Sequence, residues 1–274
     1  MPAIQLARLK IQVTDLLTHF DEPAEFLRQL HDLLNFYADR TRRPGRSGKP
    51  KPLIQAYNVP QQVMRRIEGD LAPRVNAEPE KALALADQLW ADPWFECRLL
   101  AIGILGMLPL DAPETITLRL QEWGKTCREN ALLDALLETG AASLRAESPD
   151  DFLLLVDRWL TNGDLPSRTI GLRALPALVR NPKFENLPTL YRLLSPLLRE
   201  ASSSLESDLL HAVRALGERS PQETAYFLRQ NLNAPHKSGL AVIVRRSLDV
   251  FPLEMEDLLR TTLRERMHDQ SDAG

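Results

Sequence analysis

The sequence predicts an all-helical protein, an α-solenoid of about six to seven antiparallel helix pairs with a concave surface along its length. Three observations carry this. Nearly every apolar stretch repeats at helical spacing, and hardly any alternates as a strand would. Glycine and proline fall mostly between these stretches, as punctuation. The connections left over are short, which sets consecutive helices antiparallel.

Taken in order, the apolar periodicity places helices near 4–19, 23–38, 60–72, 78–91, 93–107, 112–123, 129–143, 149–161, 165–180, 184–199, 204–217, 221–231, 236–249 and 254–268. Several starts carry a mechanism. Asp21-Glu22-Pro23, Ser148-Pro149-Asp150, Asn181-Pro182 and Ser220-Pro221 each set a capping residue before a proline suited to the first turn. The 204–217 segment shows the face pattern. Leu205, Leu209, Ala212, Val213 and Leu216 form one apolar stripe, with Ser207, His211, Arg214 and Glu218 on the polar side. Short helix pairs repeated along 274 residues describe a HEAT-like arrangement. No clean sequence period is visible, and degenerate helical repeats need not show one. A compact irregular helical domain is the alternative packing of the same elements.

One long segment is not helical. Arg40 to about Val59 begins with Arg40, Arg42, Arg43, Arg46, Lys49 and Lys51 and contains no acidic residue in that stretch. It reads either as a solvated loop or as a mobile arm that neutralises phosphates. Residues 1–51 are accordingly expected to form an N-terminal helix pair plus a basic flexible loop, and residues 52–274 the solenoid proper, the two making one continuous unit.

Composition excludes several classes. A chain of 274 residues buries a sizeable core without disulfides or metals. No apolar run approaches a membrane span. Met1 to Phe20 is amphipathic with internal charges, which is not a signal peptide. Cys97 and Cys127 stand outside any CxxC or ligand spacing, so two reduced thiols in a cytoplasmic protein are expected. His19, His31, His211, His236 and His268 are scattered, with no HExxH or paired Cys/His motif, so neither a metal nor another cofactor is expected. The net charge of −3 speaks against a surface coated in positive charge but leaves room for a local basic face. No GxSxG and no Gly-rich phosphate loop is present, which leaves a generic hydrolase without support.

Four stretches together resemble the AlkD-like DNA alkylation repair family. The first is Tyr57 to Arg66, where Tyr57-Asn58-Val59-Pro60 precedes a helix carrying Arg65 and Arg66. The second is Leu89-Trp90 followed by Phe95 to Ala101, with Glu96-x-Arg98 opening the helix. The third is Trp159, then Asn162 to Ile170 with Arg168 beginning a helix. The fourth is Leu210 to Pro221, then Thr224 to Leu228, Ala234-Pro235 and Arg245-Arg246. The resemblance spans about residues 52–255; each motif is common alone, and their order and spacing give the specificity.

The resemblance implies a HEAT-like fold and a partner, double-stranded DNA that is alkylated or distorted; a monomer is expected. It also implies glycosylase chemistry. Cleaving the N-glycosidic bond of a cationic 3-methyl- or 7-methyl-purine builds positive charge on the sugar. A carboxylate aimed there stabilises that charge, aromatic faces favour the cationic base, and an Arg holds a phosphate. The charged leaving group needs no general acid. Matched onto this chain, Asp134 stands at the catalytic carboxylate position, Arg168 at the phosphate-binding Arg, and Asn130 and His211 where the family keeps its two aromatics. Arg214, Arg245, Arg246, Arg42 and Arg43 are further candidates for DNA contact, with Arg65, Arg66, Arg173, Arg219 and Lys237 in a wider basic lining. Trp90, Trp94, Trp123 and Trp159 read as packing residues.

Each assignment has a plainer reading. Asn130, Asp134 and Glu138 at i, i+4, i+8 describe a solvated helix face as well as a site. His211 reads as a polar-face histidine. Arg168 at a helix start opposes the helix dipole, which asks for a tertiary or functional reason. A family member that binds unusual DNA without cutting it, and a HEAT-like protein-interaction scaffold, use the same residues.

Overall fold

The structure, a computed structural model, describes residues 5–39, 54–111, 113–235 and 237–272, the side chains of 266–272 excepted. Among the described residues every regular element is a helix, and the one β-type contact is an isolated bridge between Gln55 and Trp94. No helix there is long and apolar enough to cross a membrane. The Arg40–Lys51 arm, with Arg42 and Arg43, lies outside the described residues. The chain divides into two compact units, Met1–Ser148 and Pro149–Gly274.

The first unit contains α1 (Leu6–Leu17), α2 (Pro23–Tyr37), α3 (Gln61–Ala77), α4 (Pro79–Ala91), α5 (Phe95–Met107), α6 (Pro113–Thr126), α7 (Asn130–Ala135), a π-helical turn (Leu136–Gly140) and α8 (Ala142–Glu147). Helices α1, α3 and α5 lie side by side, and α2 packs on α4. The periodicity predicts why: Leu9, Val13, Phe26, Leu30, Ile67, Leu71, Leu85 and Leu89 recur at helical spacing and are all buried. Helix α3 runs on through Pro73 to Ala77, past the expected stop, because Val75 is fully buried one turn beyond Leu71. Tertiary burial there outweighs the local proline signal.

Glu96 explains the Glu-x-Arg motif. It is 4% exposed and accepts hydrogen bonds from the backbone N–H groups of Tyr57 (3.0 Å) and Asn58 (2.7 Å). Asn58 takes a left-handed conformation (φ 56°), a region open to asparagine more than to most residues. Arg98 donates to the Asp92 carbonyl at 2.8 Å and lies over the Trp90 ring. Both motif residues therefore fasten the approach to α3 and the α4–α5 corner.

The expected helix at 129–143 is interrupted. After α7 the backbone widens into the π turn, and α8 follows. Arg145 donates to the carbonyls of Leu137 and Glu138 and so ties α8 back onto the wider turn. Gly106 of α5 meets this turn so closely that a Cβ built there would stand 2.0 Å from the Thr139 carbonyl oxygen.

The second unit contains α9 (Pro149–Thr161), α10 (Leu165–Val179), α11 (Leu187–Arg199), α12 (Glu206–Arg219), α13 (Pro221–Asn233), α14 (Ser238–Ser247), a 3-10 turn (Leu248–Val250) and α15 (Leu253–Asp272). Alternate helices form two rows, α10–α12–α14 and α9–α11–α13–α15. The α12 stripe is buried as predicted, and His211 is exposed. Helix α10 is buried on most sides. Polar links join α11 to α13: Ser195 donates to the Asn231 side chain at 2.7 Å, Arg199 donates to the same oxygen, and Tyr191 bonds Thr224 at 3.0 Å.

The proline rule locates most starts, but side-chain caps are fewer than expected. Glu22 and Ser220 precede Pro23 and Pro221 without capping a backbone N–H, and Ser220 instead donates to Glu223. Asn181-Pro182 marks a turn, with Asn181 accepting from the Lys183 N–H; the helix begins five residues later, capped by Asn186. Asp164 caps α10.

Candidate nucleic-acid interface

The site residues divide between the units. In the first, Asn130 and Asp134 lie one turn apart on α7, both exposed, and Glu138 follows on the π turn. Leu132 and Leu133 anchor the opposite side of α7 in the core. The carboxylate thus sits on a short helix held from below by apolar contacts and from its C-terminal side by the Arg145-bound π turn.

In the second unit, Arg168, His211, Arg214, Arg245 and Arg246 all belong to the α10–α12–α14 row. Arg168 lies in the first turn of α10. Asp164 accepts from the Ser167 N–H at 2.8 Å and from the Ser167 hydroxyl at 3.0 Å, fixing the turn that carries it. The Arg168 Nε is shielded from solvent and meets no acceptor among the described residues. A buried donor left in this state costs about 1–3 kcal/mol. The helix N-terminus beside it adds partial positive charge. An anion placed there answers both.

His211 and Arg214 fall three residues apart on α12, so they share a face. Arg214 is already engaged. It grips Asp249 through two bonds of 2.5 and 2.8 Å and donates to the Arg246 carbonyl at 3.1 Å. The guanidinium holds the Asp249 carboxyl below its usual range. Arg246 pairs with Glu206 at 2.8 Å, and in the first unit Arg66 pairs with Asp70. These partners offset the cations' charge, which weakens the case for Arg214 and Arg246 as phosphate contacts relative to Arg168.

The tryptophans are structural. Trp90 and Trp123 stack with ring centroids 4.6 Å apart, and Trp159 is 3% exposed. Exposed aromatic surface occurs elsewhere in the second unit, where Pro188, Tyr191, Tyr226 and Phe227 line a shallow groove on α11 and α13. That groove belongs to the other helix row, and no motif in the sequence marks it.

The class these features define is an all-helical protein with an exposed carboxylate on a short buttressed helix and cationic residues along one helix row. The model of the DNA alkylation repair enzyme family matches residues 33–247, and the chain belongs to that family. The match extends into α2, beyond the start near residue 52 expected from the motifs. No curated protein and no solved structure gives a significant match.

Proposed function

We propose that the protein binds duplex DNA carrying alkylated bases and hydrolyses the N-glycosidic bond of cationic 3-methyl- and 7-methyl-purines. Within each unit the helix pairs would pack in the HEAT-like manner and present a face to the duplex. Arg168 receives a backbone phosphate, and Asp134 stabilises the positive charge that develops on the deoxyribose. The observation that carries this reading is the solvent-shielded, unpartnered Arg168 Nε at a helix N-terminus, in a member of the alkylation repair family. Phosphate oxygens supply the acceptor that this donor asks for.

With Asn130 and His211 in place of aromatic faces, cation–π stabilisation of the bound base is smaller, by about 0.5–2 kcal/mol per ring. That favours slow turnover over fast and leaves binding without cleavage as the second reading. Incubation of the full chain with methylated duplex DNA, followed by chromatography of the released bases, separates the two. Release of 3-methyl- or 7-methyl-purine is expected; binding with no release would establish the second reading.

A further inference from the structure

We propose that His31, Asp92 and Cys97 form a zinc-binding site that clamps α2 to the α4–α5 corner of the first unit. A ring nitrogen of His31, a carboxylate oxygen of Asp92 and the Sγ of Cys97 all lie within 4.8 Å of one another. They come from three places: His31 from the middle of α2, Asp92 from the residue ending α4, and Cys97 from the first turn of α5.

The chemistry matches the ion. Zinc takes imidazole nitrogen, carboxylate oxygen and thiolate sulfur, and sites with three protein ligands keep a fourth position for water. A neutral imidazole, one carboxylate and one thiolate balance the charge of the dication. The spacing is close to what binding requires. His31 Nε2 and Asp92 Oδ2 are 3.1 Å apart. Two ligands at about 2.0–2.2 Å in tetrahedral array stand roughly 3.4 Å apart, so this pair opens by only a few tenths of an ångström. On the same geometry sulfur stands roughly 3.6 Å from the other ligands, so Sγ closes in by at most about 1.2 Å.

The surroundings hold these donors in orientation. The Nδ1 of His31 shares a 2.9 Å hydrogen bond with the Tyr57 hydroxyl. A ligating histidine ordinarily gives its second ring N–H to a hydrogen-bond acceptor, and the Tyr57 hydroxyl takes that role once Nε2 exchanges its contact with Asp92 for the metal. Tyr57 is itself locked by stacking on Trp94 at 3.9 Å between centroids. Asp92 is pinned because its other oxygen accepts the Trp94 N–H at 2.9 Å. Cys97 is fully buried, whereas the His31 side chain is 27% exposed and leaves an approach for the ion and a water. Binding replaces the Cys97 S–H bond by a Zn–S bond and releases one proton to solvent.

The test uses the full chain, freed of metal with a chelator and then titrated with cobalt(II) and zinc(II). Cobalt is expected to produce a thiolate-to-metal charge-transfer band and tetrahedral visible bands, both displaced by one equivalent of zinc. Cys97→Ser abolishes the charge-transfer band, His31→Gln weakens cobalt binding at least tenfold, and Cys127→Ser changes neither. Circular dichroism reports whether each variant folds; should Cys97→Ser not fold, His31→Gln decides. The proposal is overturned if the wild type gives no charge-transfer band. It is equally overturned if the band persists in folded Cys97→Ser or cobalt binds His31→Gln as tightly as wild type.

Discussion

Replacing Asp134 with asparagine is expected to slow the release of methylated purines by about 100- to 1000-fold while leaving the fold intact. The substitution keeps the shape of the side chain and removes its charge, so it isolates the electrostatic contribution. Two opposite unit charges about 4 Å apart interact by roughly 4 kcal/mol at the effective dielectric of a protein surface. Each 1.36 kcal/mol is about a factor of ten in rate, which sets the upper end of the range. Asp134 is exposed on α7, so the substitution opens no cavity in the core. Single-turnover base release at saturating enzyme, with thermal denaturation as the folding control, checks this. Equal rates for the two proteins would remove Asp134 from the chemistry.

The second large effect concerns Gly106. In an exposed helix, Gly→Ala is stabilising by about 1 kcal/mol. At Gly106 the sign reverses, because the new Cβ would stand 2.0 Å from the Thr139 carbonyl oxygen. That atom belongs to the backbone of the π turn, so no rotamer change relieves the clash, and α5 and the turn must separate. Overpacking of this kind costs about 3 kcal/mol or more, equivalent to a fall in Tm of roughly 6–12 °C for a unit of this size. Gly69→Ala is the control, since its Cβ would meet nothing within 4 Å. Calorimetry should show Gly106→Ala melting well below wild type and Gly69→Ala at or above it. Because the π turn begins two residues after Asp134, Gly106→Ala should also impair base release.

The helices were legible because each buries a stripe set by its own sequence, as Leu209, Ala212, Val213 and Leu216 do in α12. What was not legible depends on residues far away in the chain. Nothing within 129–143 announces the π turn; its cause includes the close approach of Gly106 from another helix and the reach of Arg145. Asn181-Pro182 and Asn186-Leu187-Pro188 both set an asparagine shortly before a proline, and only the second opens a helix.

The same division holds for the site. The placement of Asn130 and Asp134 on one side of a short helix, and of His211 and Arg214 on the polar side of α12, follows from helical spacing. The pairing of Arg214 with Asp249 and of Arg246 with Glu206 does not, because each partner lies on a neighbouring element 35 and 40 residues away. Composition counts those arginines as available cations, whereas the fold gives them acidic partners. The cluster of His31, Asp92 and Cys97 was hidden for the same reason, with His31 and Asp92 separated by 61 residues and no ligand spacing between them.

The central claim, that this family member works on DNA, is tested most directly by its affinity for duplex DNA as a function of salt. Binding should be measurable at low ionic strength, and log K should fall linearly with log salt as phosphate counterions are released. Arg168→Ala should weaken binding similarly across sequences and reduce the slope by about one. Failure to bind alkylated or unmodified duplex at low salt, or an affinity indifferent to salt and to Arg168, would contradict the account and favour a protein-interaction scaffold.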